Sequence, residues 1–373
     1  MTKFELPLSV NYVPSWGIVE AFRELFQNAL DNQIENPDNK MGFVYDEETQ
    51  TLSITNKSSS LEADSLLLGS TTKANNNKTI GTHGEGYKLA FMVLLRNDKK
   101  VVVHNYGKRE LWNVRFVNSK KYNNQPIPTV FVDKKYMWQK TPDNDLTIIV
   151  SGVTKEEYEQ VVEKNLHLRA DSINYIECKN GRILTDSSEK GNIYVKGLFV
   201  YNNEKFTYGY DFEPRVISLD RDRRLADSIR VSFETSGLWA EASDKSDDYR
   251  ETMVKMFYEK TYDVEYITES FISGSSKVQN VIAEKFIEEH GVDAVPVSSD
   301  TEYNEVKDSG KKPVIVDEKI AQAIINSDYA ETVVVEKKKT VQELFRDFMD
   351  EIEDRLTDKQ LEYMSELIDK IDN

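Results

Sequence analysis

The sequence predicts an α+β protein in three parts: an α/β sandwich over residues 1–155, an α+β domain over 156–272, and a small α/β module over 278–373 that ends in a helical hairpin. Three observations predict it. A helix-period apolar stripe near the N-terminus is followed by short alternating segments that read as strands. The length of 373 residues exceeds what one core usually serves, so two or three domains are expected. After Ser-Gly-Ser-Ser-Lys at 273–277, a linker composition, the pattern changes to helices alternating with short β-branched runs.

The first helix is predicted to start at Ser15, after Pro14. Ile18, Val19, Phe22, Leu25, Phe26, Ala29 and Leu30 form its buried stripe, and Glu24, Asn28 and Asp31 stack on the opposite face. Gly-Phe-Val-Tyr-Asp and Thr-Leu-Ser-Ile-Thr, around the turn-like 46–50, read as a hairpin. A short helix is expected near Leu61–Leu68. The polar, Asn-rich run 70–79 has the composition of a loop that could cover a site. Gly81, Gly84 and Gly86 precede an apolar helix; glycines allow close backbone approach, and a helix start offers free amides to an anion. The G-K-[ST] ending of a Walker loop is missing. Residues 144–152 read as a strand and 156–166 as an amphipathic helix. Strands follow around the turn at 179–181, and 196–212 reads as one hairpin. A helix is expected from about 248 to 271. The C-terminal region then reads helix, strand 293–297, strand 312–316, helix, strand 332–336, with capping boxes at 340–343 and 357–360 opening the two last helices.

Hydrophobic residues make up 39% and charged residues 30% of the chain, a globular balance. The net charge of −17 disfavours phosphate backbones as bulk partners. The one cysteine, Cys178, excludes an internal disulfide. The N-terminus lacks a signal-peptide core and no run of about 18 apolar residues occurs, so a cytoplasmic location without membrane contact is the default expectation. Abundant Asn, Lys, Asp, Ile and Tyr fit an AT-rich coding source, such as a low-GC bacterium or its phage.

Two motifs in order carry a resemblance. Arg-Glu-Leu-Phe-Gln-Asn-Ala-Leu-Asp-Asn at 23–32 and Ile-Gly-Thr-His-Gly-Glu-Gly-Tyr-Lys-Leu-Ala-Phe-Met-Val at 80–93 resemble the GHKL ATPases, whose nucleotide domain is the Bergerat fold. The resemblance covers roughly residues 10–155 and is closest in style to the chaperone, mismatch-repair and type II topoisomerase branch. None of His83, His104, His167 and His290 sits in a phospho-acceptor helix ahead of the domain, which argues against a sensor kinase.

The resemblance implies ATP and Mg2+ as cofactors and slow ATP hydrolysis. Glu24 would be the general base and Asn28 the magnesium ligand. Gly81, Gly84, the amide of Glu85, and Gly86 would cradle the phosphates, with Lys88 adding charge and Lys73 and Lys78 as weaker candidates. Asp31 would support the site. The second motif departs from the family: Asn56-Lys57-Ser58-Ser59-Ser60 stands where Asp-x-Gly-x-Gly is the pattern. Asn56 would read adenine by accepting through its oxygen and donating through its NH2 to a ring nitrogen. Thr147 is matched to the threonine that backs the adenine-binding acid. A transducer-like middle domain would lend a basic residue to the terminal phosphate, and Arg223 is the candidate, against the alternative of an ion-pair cluster with Asp220 and Asp222. The expected partners are ATP, a second copy in a homodimer and a further protein. Two alternatives stand beside turnover: a nucleotide-gated binding protein with little hydrolysis, and an acidic inhibitor of a nucleic-acid enzyme.

Overall fold

The computed structural model describes residues 1–66, 86–134, 144–169, 173–214, 216–217, 228–330, 348, 360 and 363–364. The chain is mixed α and β, with a seven-stranded antiparallel sheet and a five-stranded mixed one, an α+β fold. It divides into two compact units, 1–267 and 268–373.

The first unit opens with β1 (Thr2–Glu5), α1 (Ile18–Glu35), β2 (Met41–Asp46), β3 (Thr51–Asn56), α2 (Gly86–Arg96), β4 (Lys100–Asn105), β5 (Glu110–Ser119), β6 (Gln125–Asp133), β7 (Leu146–Ser151) and α3 (Lys155–Glu163). The strands form an antiparallel sheet in the order β1-β6-β5-β4-β7-β3-β2. Alternation puts Leu52, Ile54, Val103, Trp112, Val130, Leu146 and Ile148 on one face, where they share a core with Phe22, Leu25 and Ala29 of α1 and Leu89–Leu94 of α2. Burying each such side chain is worth about 1.5–3 kcal/mol, so this layer fixes α1 on the sheet.

Helix α1 starts later than Ser15: Gly17 is its cap, and Glu20 reaches back to accept from the Gly17 amide at 2.7 Å. Pro37 follows the last turn and prevents its continuation. At the C-terminal end of α2, Arg96 donates to the carbonyls of Val10, Tyr12, Val13 and Trp16 at 2.7–3.2 Å, pinning the segment before α1. The helix expected near 61–68 is, in its described part, a 3-10 turn at Ala63–Leu66.

A second sheet in the same unit holds β8 (Tyr175–Cys178), β9 (Gly181–Leu184), β10 (Asn192–Val195), β11 (Leu198–Asn202) and β12 (Gly209–Phe212), in the order β11-β10-β12-β9-β8. The single hairpin read over 196–212 is corrected here. The tight turn is Lys196-Gly197, with φ of 50° and 76°, the pair of positive values that a two-residue hairpin needs. It joins β10 to β11, while β12 pairs parallel with β10 and antiparallel with β9. Helices α4 (Ser228–Lys245) and α5 (Asp247–Tyr258) follow. The long helix expected from 248 to 271 is therefore broken, and α4 was missed because Gly237 and scattered serines dilute its stripe.

The second unit contains α6 (Glu269–Ser273), α7 (Ser276–His290), β13 (Ala294–Val297), α8 (Asp300–Asp308), β14 (Lys312–Ile315) and α9 (Glu318–Ile325), with β13 and β14 parallel. The expected strand 332–336 lies outside the described residues, as does nearly all of the terminal hairpin.

Candidate functional site

Helix α1 carries the polar face that the spacing predicts, and three of the predicted residues meet at its middle. Gly86, the first residue of α2, lies directly against Glu24 and Asn28: a Cβ on Gly86 would stand 2.9 Å from Asn28 Nδ2 and 3.0 Å from Glu24 Oε2. Any larger residue at 86 would have to push the ends of the Asn28 and Glu24 side chains aside. Asn28 Nδ2 donates to the Glu24 carbonyl at 2.9 Å, which orients the amide and leaves Oδ1 as an acceptor. Glu24 is buried, and its Oε1 accepts from Arg23 at 3.3 Å. Arg23 was not singled out from the sequence; as the neighbour of Glu24 it also packs over Trp16, 5.1 Å from the ring centroid, and donates to the Phe199 carbonyl at 3.4 Å.

Asp31 is fully buried one turn past Asn28; burial, with the Asp31 carboxylate adding to it, pushes the Tyr87 phenol up from its ordinary value. Lys88 is 1% exposed and so sits inside the domain rather than on its surface. Gly81, Gly84, Glu85, Arg223, Lys73, Lys78 and the run 70–79 lie outside the described residues.

Asn56 closes the C-terminal end of β3 beneath α1. Its Nδ2 donates to the Ala29 carbonyl at 2.9 Å and to the Asn39 carbonyl at 3.1 Å. Two carbonyls facing one atom identify it as the nitrogen, and both of its protons are used. The expectation that this NH2 also donates to a ligand is therefore corrected; Oδ1 alone is left to accept. The loop after Asn56 keeps a glycine-like backbone without glycine. Ser58 has φ +47°, the Ser58 amide donates to Asp145 Oδ1 at 3.2 Å, and Lys57 pairs with Asp145 at 2.7 Å. Ser59 accepts from Asn32 Nδ2 at 2.9 Å, tying the loop to α1.

Thr147 does not share this pocket face. Asn56 is paired in register with Leu146, and Thr55 with Thr147. The Thr147 hydroxyl is 3.0 Å from that of Thr55, on the face of the sheet away from α1. The match to a residue behind Asn56 is corrected by the period-two alternation of a strand: Leu146, 3% exposed, stands there instead.

Among the described residues no group of three or more His, Cys, Asp or Glu side chains could hold a metal by itself, and no helix is long and apolar enough to cross a membrane. No protein-family model matches the chain. An uncharacterized protein of Mycoplasma pneumoniae is 28% identical over 221 residues, 56% of this chain and 85% of that protein. The chain is also similar to the solved ATPase and transducer domains of DNA topoisomerase II from Balamuthia mandrillaris, at 12% identity over 49% of this chain and 60% of that one, with a TM-score of 0.29. The chain thus spans less than two thirds of that structure, and a likeness of this size demonstrates no common fold.

Proposed function

We propose that the chain binds ATP with magnesium where α1 meets the start of α2 and hydrolyses it slowly. The observation that carries this reading is the convergence of Gly86, Glu24 and Asn28, which puts a carboxylate, a side-chain amide and a helix start in one place. Glu24 sits on a rigid helix and would take a proton from the attacking water. Arg23 Nη2 holds Oε1 at 3.3 Å, while Oε2 lies toward Gly86. Asn28 Oδ1 would be the protein ligand to the metal; bound magnesium would neutralise phosphate charge, with waters and phosphate oxygens as its other ligands. Asn56 Oδ1 would accept from the exocyclic amino group of adenine, and guanine, with a carbonyl at that position, would meet it acceptor to acceptor.

A second reading, nucleotide binding with little turnover, is favoured by the departure of Asn56-Lys57-Ser58-Ser59-Ser60 from the Asp-x-Gly-x-Gly pattern. Dimer formation and exchange of a protein partner belong to either reading.

Calorimetric titration of ATP with magnesium into the wild type and Glu24→Ala, with phosphate release followed in parallel, separates these readings. Binding by both and turnover by the wild type alone is expected. Binding without turnover by the wild type selects the second reading, and no binding by either removes both.

A further inference from the structure

Of two residues of α1 that bracket Glu24, one runs to the second sheet and the other to a turn fastened to that sheet. Arg23 donates to the carbonyl of Phe199 in β11. Phe26, one helical turn on and 3% exposed, stacks on His167 with ring centroids 5.6 Å apart and planes at 27°. His167 sits in a 3-10 turn, Leu166–Leu168, whose start is itself fastened to β11: the Leu166 amide donates to the Gly197 carbonyl at 2.8 Å, and the Phe199 amide to the Lys164 carbonyl at 3.2 Å. The His167 Nε2 is 2.7 Å from the Lys196 carbonyl, so Nε2 carries the proton and donates. Its ring fills the notch that Gly197 leaves, since a Cβ there would stand 2.7 Å from Nε2. On the far side the Gly197 amide donates to Asp211 Oδ1 at 2.7 Å, and Asp211 pairs with Arg182.

We propose that His167 is a positioning residue for Glu24, a clasp through which the β10–β11 turn sets the middle of α1. This rests on the reading of Glu24 as the base. The ring is held from two sides by unlike forces, a stack on Phe26 and a hydrogen bond to Lys196. Movement of the turn is therefore passed to the helix at Phe26 and, through Phe199, at Arg23. His167 stands at the exposed edge of the turn; partial exclusion of water from its ring is the largest influence and keeps it below its ordinary pKa, and the charged groups acting on it are Asp211, Arg182 and Lys196.

The test compares the full-length wild type with His167→Ala, His167→Phe and Gly197→Ala. His167→Phe keeps a stacking ring and loses the hydrogen bond, while Gly197→Ala keeps the histidine and evicts it from the notch. The first readout, amide hydrogen exchange, needs no ligand. His167→Ala and Gly197→Ala are expected to speed exchange in residues 22–28 at least tenfold, with β5 and β6 unchanged. The second is turnover of ATP with magnesium: kcat falls about tenfold with KM within twofold, as for a misplaced base. The loss of wild-type kcat as pH falls from 7 to 5 is shallower in His167→Phe. Unchanged exchange across 22–28 in all three variants would overturn the clasp, whatever the turnover. Accelerated exchange in a chain that binds no nucleotide would keep the clasp as a structural coupling and reject its role toward Glu24.

Discussion

Replacing Asn56 by the aspartate of the resembled family is expected to damage this protein rather than improve it. In the structure both Nδ2 protons of Asn56 are donated, to Ala29 on α1 at 2.9 Å and to Asn39 at 3.1 Å. Asn56→Asp removes both bonds, at about 1 kcal/mol each in net terms. It also sets a carboxylate oxygen against two carbonyl oxygens at a position only 3% exposed, where water cannot relieve the repulsion. That adds at least about 1–2 kcal/mol, limited by protonation of the new carboxyl, for a total near 3–4 kcal/mol. The assay is urea unfolding at pH 7.5 and 5.0, with Asn56→Ala as the control that loses the bonds without adding an oxygen. The new carboxyl has a folded-state pKa raised above its unfolded value of about 3.9. Its penalty is therefore absent below that value and grows as pH rises toward the folded pKa. The aspartate variant should be less stable than the alanine variant at pH 7.5 and approach it at pH 5.0. An aspartate variant within about 0.5 kcal/mol of wild type at pH 7.5 would refute the assignment of the amide nitrogen, and with it the claim that only Oδ1 faces a ligand.

Three further outcomes are expected. Gly86→Ala places a methyl 2.9–3.0 Å from Asn28 and Glu24 and should abolish turnover of ATP with magnesium, while the unfolding midpoint moves little because alanine favours the helix by about 1 kcal/mol; a calorimetric and phosphate-release comparison checks it, and wild-type turnover would count against the site. Arg96→Ala removes four hydrogen bonds to carbonyls at 10–16 and should make that segment the first point of limited proteolysis, with a loss of about 2–4 kcal/mol in urea. Ser58→Gly relieves a left-handed serine and should be neutral or stabilise by up to about 1 kcal/mol at the same urea midpoint assay, whereas a clear loss would mean that the Ser58 side chain carries more than its backbone.

How much of this was written in the sequence differs from element to element. Helix α1 was legible because its apolar stripe and polar face follow from a 3.6 period that no neighbour has to supply. The β2–β3 hairpin and α3 were legible for the same local reason. Thr147 was misread because the period of a strand says that neighbouring residues face opposite ways, but not which of them faces the helix; register against β3 decides that, and it selected Leu146. The pairing of β10 with β12 was invisible because strand partners distant in sequence are chosen by packing. At the site, the sequence by itself determined which chemistry is available: a carboxylate, amides and a glycine at helical and loop spacings. Tertiary structure decided how that chemistry is spent. It turned the Asn56 amide toward two carbonyls, set Arg23 on Glu24, and pressed Gly86 against both Glu24 and Asn28. Each of these depends on atoms brought together from 17 or more positions apart or on a rotamer chosen by such neighbours, and local spacing does not encode the hydrogen-bond partners that a packed interior leaves available.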